Sequence, residues 1–152
     1  MSKDIRIFWV GLAAYAFSFF LLAVASTPPG SAVPGFFAAV DALWLPFDSI
    51  FKPANAGIFE GRLLECTSLL VSGLINPVFL AAAFLKLTCL YPRTVLVLKI
   101  LVLLMIPFCW IFFAITREGL YPREGHFVWL LGMLSVLFSE RLSLLSLQRD
   151  TA

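Results

Sequence analysis

The chain has 152 residues, 61% of them hydrophobic and 13% charged, with a net charge of +2 at pH 7; its mean hydropathy is +0.98. A soluble domain carries about 45–50% apolar and about 25% charged residues, and a chain this short has too much surface for its volume to hide such an excess from water. The composition therefore excludes an ordinary water-soluble domain. The small charge, with no run of Lys or Arg, excludes a nucleic-acid partner.

A spanning helix needs about 20 mostly apolar residues to cross a ~30 Å hydrocarbon layer. Ile7 to Ala25 meets this with no charge. Lys3 and Arg6 ahead of it, with Ala23-Val24-Ala25 before Ser26, also resemble a secretory signal and its cleavage site. The apolar region exceeds the usual length of about 7–15 residues, which favours a retained span. The segment from Thr27 to Arg62 follows. Pro28, Pro29, Pro34, Pro46 and Pro53 exclude one continuous helix. Its many apolar residues, Phe36, Phe37, Trp44 and Phe47 among them, make a free aqueous loop equally unfavourable. A short helix from about Phe36 to Trp44, lying on the membrane or capping the bundle, reconciles the two.

Leu63 to Leu85 is the second expected span, with Glu65 near its start, and Val95 to Ile115 is the third, with Lys99 one turn inside. Phe127 to Ser139 is too short to cross; continued to Leu147 it reaches the length but carries Glu140 and Arg141 to an interface. The expected fold is thus an all-α integral membrane protein, one membrane domain over residues 1–152. It is a four-span bundle with spans at about 7–25, 63–85, 95–115 and 127–147, and a Pro-rich, partly helical outer segment at 27–62. Placing both termini inside puts Lys3, Arg6, Lys86, Arg93, Lys99, Arg141 and Arg149 on the cytoplasmic side. The positive-inside rule favours that orientation. The default location is a bacterial inner membrane, since the loops are short and no organellar targeting pattern is present. The repeated Leu-Tyr-Pro-Arg at 90–93 and 120–123 reads as boundary punctuation before two spans.

The main chemical pattern lies on the second span. Glu65, Ser68, Ser72 and Asn76 are spaced three, four and four apart and so share a helix face. Asn76-Pro77 marks a kink. On the fourth span Gly132, Ser135 and Ser139 form a line of small residues suited to close helix packing, and the two faces are expected to meet. Glu65, an acid inside a span, is either a functional group or a surface ion pair with Arg62. The outer loop carries Arg117, Glu118, Arg123, Glu124 and the only histidine, His126, and forms the expected partner-contact surface.

No nucleotide, metalloprotease or nucleophile-elbow motif is present. Cys66, Cys89 and Cys109 lack metal-ligand spacing, so no metal, cofactor or catalytic residue is expected. The expected role is a non-catalytic one, through contacts with a protein partner or a second copy within membrane lipid: an accessory subunit, assembly factor or toxin-immunity protein. The layout of short spans with tiny tails is similar to that of bacterial immunity proteins against pore-forming toxins. The alternative is an oligomeric channel or transporter subunit that uses the polar face of the second span.

Overall fold

The computed structural model describes residues 3–26, 32–51, 63–88, 91–116 and 119–139. These form five helices and a small sheet. In chain order they are α1 (Lys3–Ser18), β1 (Leu22–Ala25), β2 (Ala32–Pro34), α2 (Gly35–Phe51), α3 (Leu63–Leu87), α4 (Pro92–Ile115), β3 (Tyr121–Pro122) and α5 (Glu124–Phe138).

Two of the helices, α3 and α4, are long and apolar enough to cross a membrane. At 1.5 Å per residue each is about 36 Å long, whereas α1 and α5 reach only about 24 Å and 22 Å. Four full-length helical spans are therefore not what the described residues form. The expected first span, 7–25, ends as a helix at Ser18. The Ser18 hydroxyl bonds Tyr15 O, and Phe20 N and Leu21 N reach back only three residues, so the last turn tightens and stops. Continuation would also compete with tertiary bonds, because Leu21 O accepts from Gly35 N and Ala23 O accepts from Arg123 N. Leu22–Ala25 instead becomes the middle strand of an antiparallel sheet ordered β2-β1-β3. Of the fourth expected span, residues 140–147 lie outside the described residues.

The helices pair as α1 with α5 and α3 with α4, and α2 lies across α3. The α1–α5 crossing depends on two glycines. A Cβ on Gly132 would stand 2.6 Å from Tyr15 N and 2.9 Å from Gly11 O, and one on Gly11 would stand 2.7 Å from Ser135 Cβ. The small-residue line of α5 thus packs on α1, and not on the polar face of α3 as its spacing suggested.

The α2–α3 crossing has a related basis. The expectation that proline would break the segment fails at Pro46, which sits inside a continuous α2 and is buried. Lacking an N–H, Pro46 leaves Ala42 O without its usual partner four residues on. That carbonyl lies against Gly73, where a Cβ would be 2.8 Å from Ala42 O. Gly73 is in turn the residue whose own carbonyl Pro77 releases. Two proline-weakened turns therefore meet where the missing side chain of Gly73 lets the backbones of α2 and α3 touch.

The two helix pairs join through a core of Phe8, Tyr15, Ile75, Phe79, Val102 and Met133, with further apolar side chains around it. At one end Lys86 Nζ donates to Val136 O and to Ser139 Oγ and lies 5.4 Å from the Phe8 ring centroid. This gathers the start of α1, the end of α3 and the end of α5. The sheet and the start of α5 lie at the opposite end, where Gly125 packs on Leu22. The two copies of Tyr-Pro within the repeat differ in conformation. Tyr91, before α4, is left-handed (φ 52°), whereas Tyr121-Pro122 forms β3. The two tyrosines of the repeat share no common backbone shape.

The outer faces are apolar. Leu96, Val97, Ile100, Leu101 and Leu104 on α4, and Leu80 and Phe84 on α3, are all exposed. Replacing Gly132 with Ala should force α1 and α5 apart and cost about 1–3 kcal/mol. Leu131→Ala, on the exposed face beside it, should stay within about 0.5 kcal/mol. Thermal unfolding in detergent measures both, and equal shifts would refute the glycine-dependent crossing.

Candidate functional site

Asn76 is the centre of the polar chemistry. Its Oδ1 accepts from Tyr15 Oη at 2.9 Å and from Trp129 Nε1 at 2.8 Å. An indole N–H can only donate, so the amide atom facing Trp129 must be the oxygen. One oxygen on α3 thus ties together α1 and α5. Tyr15 also packs on Phe79, ring centroids 4.5 Å apart.

Below this bridge the helix pairs diverge around a cavity of about 110 Å³. Its polar lining comes from Ser18, Ser72, Asn76, Cys109, His126 and Trp129. Phe19, Phe112 and Phe113 form apolar walls, and α2 contributes the small side chains of Ala38, Ala39 and Ala42. The sheet borders the cavity through Ala23 and Val24.

The predicted polar face separates along its length. Ser72 and Asn76 reach the cavity. The Ser72 hydroxyl donates to Ser68 O at 2.6 Å. Ser68 is fully buried, and its Oγ has no hydrogen-bond partner among the described residues. Glu65, 6% exposed, is buried in the first turn of α3 and does not line the cavity. Arg62, its suggested partner, lies outside the described residues.

On α5, Gly132 and Ser135 serve the α1 crossing, with the Ser135 hydroxyl turned back to Leu131 O. Ser139 is buried, accepts from Lys86 and donates to Val136 O.

The predicted partner-contact loop is smaller than its sequence suggested. Arg117 and Glu118 lie outside the described residues. Arg123 Nε donates to Glu124 Oε2 at 2.9 Å, with both side chains exposed. The guanidinium holds the Glu124 carboxyl below the usual carboxylate range. Exposure to solvent keeps such a pair weak. His126 does not belong to this surface. It is 9% exposed, enclosed by the rings of Trp110, Phe113 and Trp129 at centroid distances of 5.5, 5.3 and 5.2 Å. Its Nε2 has no hydrogen-bond partner among the described residues. The first turn of α5 explains the burial, since Gly125 packs directly on the strand backbone and turns the next residue inward.

Tyr15, Trp129 and Cys109 carry much of this site and were not singled out by sequence. Tyr15, a phenol in the middle of an apolar stretch, was the available signal. No group of three or more His, Cys, Asp or Glu able to hold a metal occurs among the described residues. Compared with known family models, curated proteins and solved structures, the chain matches none.

Asn76→Leu strands two donors at once and should cost about 2–4 kcal/mol, whereas Tyr15→Phe removes a single donor and should cost about 1 kcal/mol. Melting temperatures in one detergent give the order. A Tyr15→Phe loss as large as that of Asn76→Leu would contradict the shared-acceptor geometry.

Proposed function

We propose that this chain is an integral membrane protein that acts without catalysis, through contacts with a partner protein in or at the membrane. The observation that carries the reading is the distribution of polarity. Large apolar side chains are exposed on all five helices, while Ser72 and Asn76 are bonded inside the chain. Exposed apolar area on this scale suits lipid or another protein. Helices α3 and α4 cross the hydrocarbon, and α1 and α5 stand alongside, each too short to cross as a helix. The bundle end that holds Arg6, Lys86 and Arg93 faces the cytoplasm, with the start of α1 and the end of α5 beside it, as the positive-inside rule favours. The default membrane is the bacterial inner membrane, and accessory subunit, assembly factor and toxin-immunity protein are the roles that fit.

A conducting path along α3 receives less support, because Asn76 Oδ1 and the Ser72 hydroxyl are already used within the monomer. The surroundings of His126 support a non-catalytic role: its ring contacts are with other rings, and no carboxylate is hydrogen-bonded to it among the described residues. Among the described residues, the remaining polar contact surface at the sheet end is Arg123 and Glu124, beside exposed Tyr121.

Membranes are washed at alkaline pH, then solubilised in mild detergent and the protein purified by size. The expected result is retention in the washed membrane and a stoichiometric second polypeptide that is lost when Arg123 and Glu124 are exchanged for each other's charge. Release by the wash would refute the membrane placement. Retention with no companion, together with ion flux in liposomes, would refute the binding role.

A further inference from the structure

The cavity between the two helix pairs contains hydrogen-bonding capacity that the fold does not use. Asn76 offers its oxygen to Tyr15 and Trp129, which leaves the amide NH₂ as two donors at the cavity wall. His126 lines the same cavity, is 9% exposed, and has a ring nitrogen without a partner among the described residues. A neutral imidazole supplies one donor and one acceptor. The other walls are mostly aromatic, from Phe19, Phe112, Phe113 and Trp129, while the alanines of α2 leave the space. A buried polar atom without a partner, as His126 Nε2 is among the described residues, is costly, so a ligand able to bond it gains relative to one that merely fills the space.

We infer that this cavity binds a membrane-dissolved phenol: a flat ring lying against the phenylalanines, with one hydroxyl that accepts from the Asn76 amide and donates to His126. The size admits a ring only because the cavity is open at one side: it measures about 110 Å³, less than the roughly 150 Å³ of a closed apolar cavity that takes up benzene, so the rest of a substituted ring extends through the opening. The chemistry selects a hydroxyl, which both accepts and donates and so matches a donor-rich amide beside an imidazole. A hydrocarbon of the same shape leaves His126 Nε2 unpaired, and a charged ligand has no counter-charge among the lining residues. The same chemistry comes from two sources, a free small phenol or the phenolic head of a lipid whose tail leaves through the open side of the cavity. The inference rests on the membrane placement proposed above, but not on the protein partner.

The test uses the purified full-length protein in detergent micelles, titrated with 4-methylphenol, 4-octylphenol or toluene while its melting temperature is followed. At least one phenol should raise the melting temperature and bind about tenfold more tightly than toluene, the usual scale for one buried hydrogen bond. A response to 4-methylphenol alone identifies a free phenol, and an equal or larger response to 4-octylphenol identifies a lipid head group. Ala39→Leu, which fills the cavity from α2, should abolish the shift; Ala38→Leu serves the same purpose if that variant fails to fold. His126→Phe keeps a ring among its ring neighbours and should erase the preference for phenol over toluene. The inference is overturned if neither phenol raises the melting temperature of the folded protein, if toluene binds equally well, or if both filled-cavity variants keep the shift. The membrane placement would fail on a different result, recovery of the chain in a detergent-free soluble fraction.

Discussion

The carbonyl oxygen of Asn76 is the point on which the arrangement of this protein turns. On the membrane placement proposed above, the helices gain little from burying side chains against one another, because the acyl chains they displace are as apolar as leucine. What distinguishes one arrangement from its neighbours is then close packing and the few polar groups that must find each other. Asn76 on α3 has both lone pairs occupied, by a phenol from α1 and an indole from α5. Sliding either helix pair by one turn would break both bonds. Each such bond contributes modestly, about 0.6 kcal/mol on average between membrane helices, but together they fix the register of the two pairs.

Close packing supplies the second constraint, and it is set by residues that are missing atoms. Gly11 and Gly132 let α1 and α5 touch along their backbones, and Gly73 does the same for α2 on α3. At the latter crossing the prolines take part. Pro46 and Pro77 each deprive a carbonyl of its helical donor, and the residues concerned, Ala42 and Gly73, are the two that meet. Backbone groups released in an apolar medium have to be sheltered by protein, and a crossing at this position does so. The same crossing places Ala38, Ala39 and Ala42 over the cavity, so the shape of the candidate site follows from where two helices are obliged to cross.

Much of α3 and α4 was legible in the sequence, where expected ranges of 63–85 and 95–115 compare with observed helices at 63–87 and 92–115. Long apolar runs with interfacial charge at their ends carry that information directly. The end of α1 was not legible, since Leu22–Ala25 is as apolar as the helix before it and becomes a strand only because distant residues, β2 and Tyr121-Pro122, offer it partners. The polar spacing of α3 put Glu65, Ser68, Ser72 and Asn76 on one face, of which Ser72 and Asn76 reach the cavity, while their partners stayed hidden, because helical periodicity says nothing about which helix comes opposite. Thus Gly132 and Ser135 turned to α1, and Tyr15 and Trp129 became the ligands of Asn76. His126 was misjudged for the same reason: a polar residue beside a charged loop reads as exposed until the strand backbone against Gly125 turns it inward.

Lys86 carries a consequence for how the chain is put together. Two of its hydrogen-bond acceptors, Val136 O and Ser139 Oγ, belong to the last described helix and its end, as does one of the two donors to Asn76. A ribosome delivers α3 and α4 well before α5 exists, so during synthesis these contacts cannot yet form. On the membrane placement proposed here, the early hairpin has to keep its ammonium at the hydrated boundary and its amide provisionally bonded. Arrival of α5 then works as a latch, and translation order is written into the pairing of the bundle.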